Sequence, residues 1–194
     1  MKFPLILSFF IFFCFTCLHA QKPASPGEVE TKWPGIHYRI IAVERTPGGK
    51  VIVAIRITAT ARAPKEGTLI GIPVPIPPDA TKEDIDRGIY APQPFSWASS
   101  VITDDKTGKA YSTVKPAPGD NSVSSEILCT LRPAQGESSA VEFALPPPPK
   151  DAAGNPGIQT ASLLLTNAEK PITKIVIPPP AASATSPTPS RPVH

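Results

Sequence analysis

Apolar and polar positions alternate most cleanly between Val51 and Thr60. Val51, Val53, Ile55 and Ile57 fall on one side of an extended chain, opposite Arg56, Thr58 and Thr60. This stretch predicts a half-buried antiparallel strand. The same period of two runs through Ile36 to Glu44, where Ile36, Tyr38 and Ile40 oppose His37 and Arg39. It returns in Ser138 to Leu145, where Val141, Phe143 and Leu145 oppose Glu142. Thr46-Pro47-Gly48-Gly49, between the first two of these runs, is a hairpin turn signal.

Further strands are expected at Phe95 to Thr103, Lys109 to Lys115, Ser122 to Leu131, Thr160 to Thr166 and Ile172 to Ile177. Val101 to Tyr111 reads as a strand end, a tight turn and the next strand. Asp104 and Asp105 can bond amides downstream of them, and Gly108 accepts the positive φ such a turn needs. Turns are also expected at Pro64 to Gly67, Pro116 to Asn121 and Arg132 to Glu137, and a long loop from Pro146 to Gly157.

One region breaks the pattern. Leu69 to Ile76 is apolar and β-branched but holds Pro73 and Pro75, which cannot donate ladder hydrogen bonds, so it predicts an edge strand or an extended cover. Asp79 to Arg87 is the one plausible helix, capped by Asp79 or Thr81 and closed by Gly88. At about two turns it reads as an insertion in a loop. Eight or nine short strands with one minor helix predict an all-β fold, a two-layer antiparallel β-sandwich with one short helix in an inserted loop.

The ends of the chain fall outside that pattern. Lys2, the apolar run from Leu5 to Leu18, and Leu18-His19-Ala20 predict a secretory signal peptide over residues 1–20. The run is shorter than the ~20 residues that span a bilayer, so no stable membrane span is expected after cleavage. Residues 21–35 read as a flexible lead-in, 36–178 as the sandwich, and 179–194 as a Pro-rich disordered tail. Of 19 basic and 16 acidic residues only Lys2 lies in the leader, and the near-balance gives no electrostatic case for nucleic acid. Cys14 and Cys17 also lie in the leader, so their C-x-x-C spacing carries no redox or metal reading, and Cys129 remains alone, without a disulfide. On its strand Cys129 shares a face with Val123, Ile127 and Leu131 and is expected to be a small core residue.

Four pieces in order resemble the telokin-like immunoglobulin-fold domains of exported bacterial proteins of unknown function. They are Val51 to Ile57, Asp104 to Tyr111, Leu131-Arg132-Pro133 with Val141 to Pro146, and Ile172 to Pro178, together spanning roughly residues 36–178. The resemblance implies an immunoglobulin-like sandwich and an exported setting. It brings no catalytic residues, and the Leu69 to Pro94 insertion departs from it.

Chemistry is sparse. His19 leaves with the leader and His194 is the last residue, so His37 is the only histidine in the expected domain. No G-x-S-x-G elbow accompanies it, and a His-rich zinc site is excluded by count. Asp79, Glu83, Asp84, Asp86, Asp104, Asp105 and Asp120 are expected to be solvated helix and turn residues, with no EF-hand spacing among them. No phosphate or dinucleotide glycine motif occurs, so no cofactor is expected.

The expected function is therefore a non-enzymatic binding or structural accessory of the cell envelope, periplasmic or extracellular, with a protein or glycan partner. Loops on a rigid sandwich are where binding usually sits. The insertion and the aromatics Tyr90, Phe95 and Trp97 are the expected contact surface, with Trp33 nearby, although Trp97 also suits a sandwich core. The alternatives are an exported hydrolase with a shallow site at Asp104, Asp105 or His37, and a metal-stabilised envelope protein.

Overall fold

The computed structural model describes residues 27–115 and 126–180. The leader at 1–20, the start of the lead-in, the Pro116 to Asn121 turn with Val123, and the tail from residue 181 lie outside the described residues.

The long hairpin predicted by the alternation is the backbone of the first sheet. β2 (Ile36–Arg45) and β3 (Val51–Ala59) pair antiparallel from Ile36 opposite Ala59 to Arg45 opposite Val51. The turn between them closes with the Thr46 N–H on the Lys50 carbonyl at 2.8 Å. β1 (Val29–Glu30) adds to the β2 side and β10 (Gly136–Phe143) to the β3 side, giving the order β1-β2-β3-β10. The expected flexible lead-in is thus corrected near its end. Val29 lies opposite Tyr38 and is buried, because a single apolar residue there completes the edge of the sheet.

β2 changes phase along its length. An irregularity between Ile40 and Ala42 puts an extra residue into the strand, as a β-bulge does. Ile36, Tyr38 and Ile40 face inward before it, whereas Val43 and Arg45 are buried after it. An arginine consequently enters the interior.

The second four-stranded sheet has the order β12-β11-β6-β7, from β6 (Val101–Asp104), β7 (Ala110–Ser112), β11 (Gln159–Leu164) and β12 (Ile172–Ile177). All its pairings are antiparallel. The outermost strand, β12, is interrupted at Lys174, which has a left-handed φ of 57° beside a register shift against β11. The predicted strand from Phe95 to Thr103 is broken in two. β5 (Phe95–Ser96) pairs with β8 (Glu126–Ile127), and a turn closed by the Ser100 N–H on the Trp97 carbonyl leads into β6. β4 (Thr68–Ile70) pairs with β9 (Cys129–Leu131).

Inward residues of both four-stranded sheets belong to one hydrophobic cluster. Tyr38, Ile40, Ile55 and Ile57 from the first join Ile102, Ala161, Leu163 and Ile175 from the second, with Trp97 and Phe143 fully buried among them. Each of the isoleucines and Leu163 contributes about 1.5–3 kcal/mol on removal from water. Tyr38 keeps its hydroxyl satisfied by donating to the Thr166 carbonyl at 3.1 Å, and burial raises its pKa. Gly35 fixes the entry to β2. Its φ is +70°, and a Cβ there would sit 2.3 Å from the Ala63 backbone nitrogen, so only glycine fits.

The described residues are all-β and antiparallel with one short helix, as the sequence predicts at that level. No described helix is long and apolar enough to cross a membrane.

Candidate binding surface

The insertion leaves the body of the protein after β4 and returns before β5. Its two ends are clamped by Ile72 and Gln93, each donating its N–H to the other's carbonyl at 2.9 Å. Between them the prolines at 73, 75, 77, 78 and 92 block ladder pairing, so the chain projects as an arm. Its helix α1 (Lys82–Asp86) is held by local chemistry. The Thr81 hydroxyl accepts from the Asp84 N–H at 3.2 Å while the Asp84 carboxylate accepts from the Thr81 backbone and hydroxyl, a capping box. Arg87 bonds Glu83 one turn back. No residue of α1 is buried.

The apolar side chains of the arm face water. Ile72, Ile76, Ile85 and Ile89 are all about half exposed, and so is Leu128, whose Cδ1 lies over Gly71 at the foot of the arm. Isolated exposed apolar side chains are common on protein surfaces. Four isoleucines within one projecting segment are a concentration that the fold itself does not use.

The aromatics expected beside them are placed differently. Tyr90 is half-buried on the arm, but Phe95 is 8% exposed and Trp97 is 1% exposed. Trp97 donates its indole N–H to Ser139 Oγ at 2.9 Å, and its ring meets Tyr38 and Phe95 edge-on at 5.3 and 5.4 Å. Trp33 packs edge-on against Phe95 at 4.7 Å. Phe95 and Trp97 are core side chains, and this corrects the expectation that they offer a contact face. Inward-pointing aromatics satisfy one another and a buried serine, leaving no ring face for a ligand.

The residues of the hydrolase alternative are not brought together. His37 lies on β2 of the first sheet, 3.6 Å from Glu28 and 3.6 Å from Glu30. It borders a cleft of about 230 Å³ shared with Lys32, Trp33, Arg62 and Glu169. Asp104 ends β6 of the other sheet and Asp105 begins the turn to β7. Asp105 accepts from the Ser162 hydroxyl at 2.7 Å.

Asp104 is not the solvated turn residue that the sequence suggests, being 7% exposed. Its Oδ1 accepts from the Lys106 and Thr107 N–H groups and the Thr107 hydroxyl, at 2.7–3.0 Å. Its Oδ2 accepts from the Gln159 amide at 2.8 Å. That amide bond is the largest influence lowering the Asp104 pKa. Burial opposes it, and the Thr107 and Lys106 donors add to the lowering. A carboxylate so held stays ionised and fully occupied, which suits a structural anchor and not a proton carrier.

Gln159 also accepts from the Arg45 guanidinium, which donates in addition to the Gly49, Leu145 and Pro178 carbonyls. Burial lowers the Arg45 pKa. A third buried charge is Glu142, whose side chain is 5% exposed and paired with Lys50 Nζ at 2.8 Å. The alternation of β10 places Glu142 on the outward side, but the chain after β7 runs beside the strand there, with the Val114 N–H on the Glu142 carbonyl and Thr113 bridging Phe143. Cys129 is half-buried against the core, and burial first and Glu137 second raise its pKa, which works against the thiolate form.

No group of three or more metal-ligating side chains is gathered among the described residues. No family model, no curated protein and no solved structure matches this chain.

Proposed function

We propose that this protein is an exported binding or structural accessory of the cell envelope, without enzymatic activity, built on a two-layer immunoglobulin-like sandwich of the telokin-like kind. The arm between Ile72 and Gln93 is its contact element. The observation that carries this reading is the exposure of Ile72, Ile76, Ile85 and Ile89 on a segment clamped at its foot and otherwise unburied. Apolar side chains held in water by a rigid base are what a protein–protein contact needs at its centre. With Phe95 and Trp97 turned into the core, the arm favours a protein partner offering an apolar surface over a glycan stacked on rings.

The test compares wild type with a triple variant, Ile76→Ser, Ile85→Ser and Ile89→Ser, in capture of binding partners from envelope extract. Isothermal titration with the purified captured protein follows. Affinity lost in the variant, with its melting midpoint unchanged, supports the arm. Equal affinity overturns it, as does a larger thermal shift with oligosaccharides than with any protein.

A further inference from the structure

The first half of the arm has a backbone unlike the rest of the molecule. From Ile72 to Pro78 every residue is a proline or stands directly before one. Proline holds φ at about −65°, and the residue before it is pushed out of the helical region, so the run is confined to the extended polyproline II conformation. Accordingly the chain from Pro73 to Pro77 forms no helix, turn or strand. Pro78 then turns it toward α1, with the Ala80 N–H on the Pro77 carbonyl at 3.0 Å.

Polyproline II repeats every three residues, so side chains three apart share a ridge. Ile72, Pro75 and Pro78 make one ridge and Pro73 with Ile76 makes the next, and all five are exposed. Val74, on the third ridge, is half-buried. Two adjacent apolar ridges therefore face water while the third begins against the protein. The backbone is equally open. Among the described residues the Val74 and Ile76 N–H groups and the carbonyls from Pro73 to Ile76 make no hydrogen bond. The other proline run, Pro146 to Pro149, is stitched into the body instead. The Gln159 amide donates to the Pro146 carbonyl and the Gly157 N–H to the Pro149 carbonyl.

We infer that residues 72–78 are a polyproline II ligand, read by a partner protein through an aromatic-lined groove. The inference deepens the reading of the arm as the contact element and rests on it. A groove between flat rings accepts two ridges of proline and isoleucine, and indole or phenol donors on its walls bond the open carbonyls. The prolines order the run before any partner arrives, so little conformational entropy is lost on binding. The exposed isoleucines of the arm then divide by role. Ile72 and Ile76 belong to the ridges, whereas Ile85 and Ile89 lie on and beyond α1.

The experiment measures displacement of the captured and purified partner from the protein by a synthetic peptide of residues 72–78. That peptide is expected to displace it. The same peptide with every proline changed to alanine, which keeps both isoleucines, should need about tenfold more. Because the peptide holds no aromatic residue, a change in tryptophan or tyrosine emission on mixing comes from a ring of the partner. In the whole protein Pro75→Ala should weaken binding about fivefold with the melting midpoint unchanged, and Pro147→Ala should leave binding as it is. Equal displacement by the alanine peptide, unchanged emission, or wild-type affinity in Pro75→Ala overturns the inference and leaves the arm standing. Displacement by a peptide of residues 79–91 alone does the same, because it moves the contact to α1. If no protein is captured, or the triple isoleucine variant binds as wild type does, the arm and this inference fall together.

Discussion

Arg45 and Asp104, buried on different sheets, are joined through one neutral side chain, the amide of Gln159. Its Oε1 accepts from the arginine while its Nε2 donates to the aspartate and to the Pro146 carbonyl. With Arg45 also holding the Pro178 and Leu145 carbonyls, the network ties the ends of β2, β10, β11 and β12 at one pole of the molecule. Every buried side-chain nitrogen and oxygen among the described residues has a partner.

Removing the linker should therefore cost more than one ordinary hydrogen bond. Gln159→Leu keeps the volume but leaves an arginine nitrogen and an aspartate oxygen unsatisfied. The expected loss is about 3 kcal/mol in urea unfolding, since each orphaned buried group costs about 1–3 kcal/mol. A loss under about 1 kcal/mol would mean that water replaces the amide.

The same network sets an acid limit. The Asp104 pKa is lowered in the folded protein, chiefly by Gln159, so the unfolded chain takes up this proton first. Its contribution is complete above the unfolded value of about 3.9 and disappears as pH falls through the lower folded value. Asp104→Asn should lower stability near pH 7, and its unfolding free energy should fall less steeply than that of wild type on acidification below about pH 4. Some slope remains in the variant because Asp151, bonded by its own loop, is also lowered.

Core aromatics give a second stability test. Trp97→Phe retains most of the buried ring surface but leaves Ser139 without its indole donor, and about 1–2 kcal/mol should be lost. Trp97→Ala should cost about 3–5 kcal/mol. Thermal unfolding followed by circular dichroism separates the two. An exposed contact residue would show neither loss.

Two glycines separate backbone conformation from crowding. Gly49 has a φ of +84° and open space where a Cβ would go, so Gly49→Ala should cost about 1–2 kcal/mol. Gly35 adds the Ala63 backbone at 2.3 Å, and Gly35→Ala should cost clearly more, with a visible change in the amide spectrum of β2.

Replacing residues 74–91 with a short Gly-Ser turn should leave the fold standing. Ile72 and Gln93 already hold the two ends together, and α1 buries nothing. The melting midpoint should change by no more than a few degrees, about 1 kcal/mol. A collapse of stability would make the arm a structural brace.

The sequence displayed what is periodic and local. Val51 to Ala59, the Thr46–Lys50 turn, the Asp104–Gly108 turn and the Thr81 cap all follow from residue type at fixed spacing. What it concealed depends on pairing across long separations. Val29 gains a partner only once β2 exists, and two residues carry no period of their own. The irregularity near Ile41 leaves no signal in composition, yet it decides that Arg45 points inward, and with it the Arg45–Gln159–Asp104 network. Phe95 and Trp97 adjoin a prominent insertion in sequence, but the turn at Ala98 to Ser100 and pairing with β8 aim them at the core.

The left-handed lysine in β12 bears on how these molecules behave together. A straight outermost strand offers its free amides to any neighbouring chain, and sheets joined that way grow into fibres. The turn of the backbone at Lys174 interrupts that row and places a positive charge on it. Crowded molecules of this protein should therefore stay separate along that edge, and replacing Lys174 with valine should hasten their aggregation on standing.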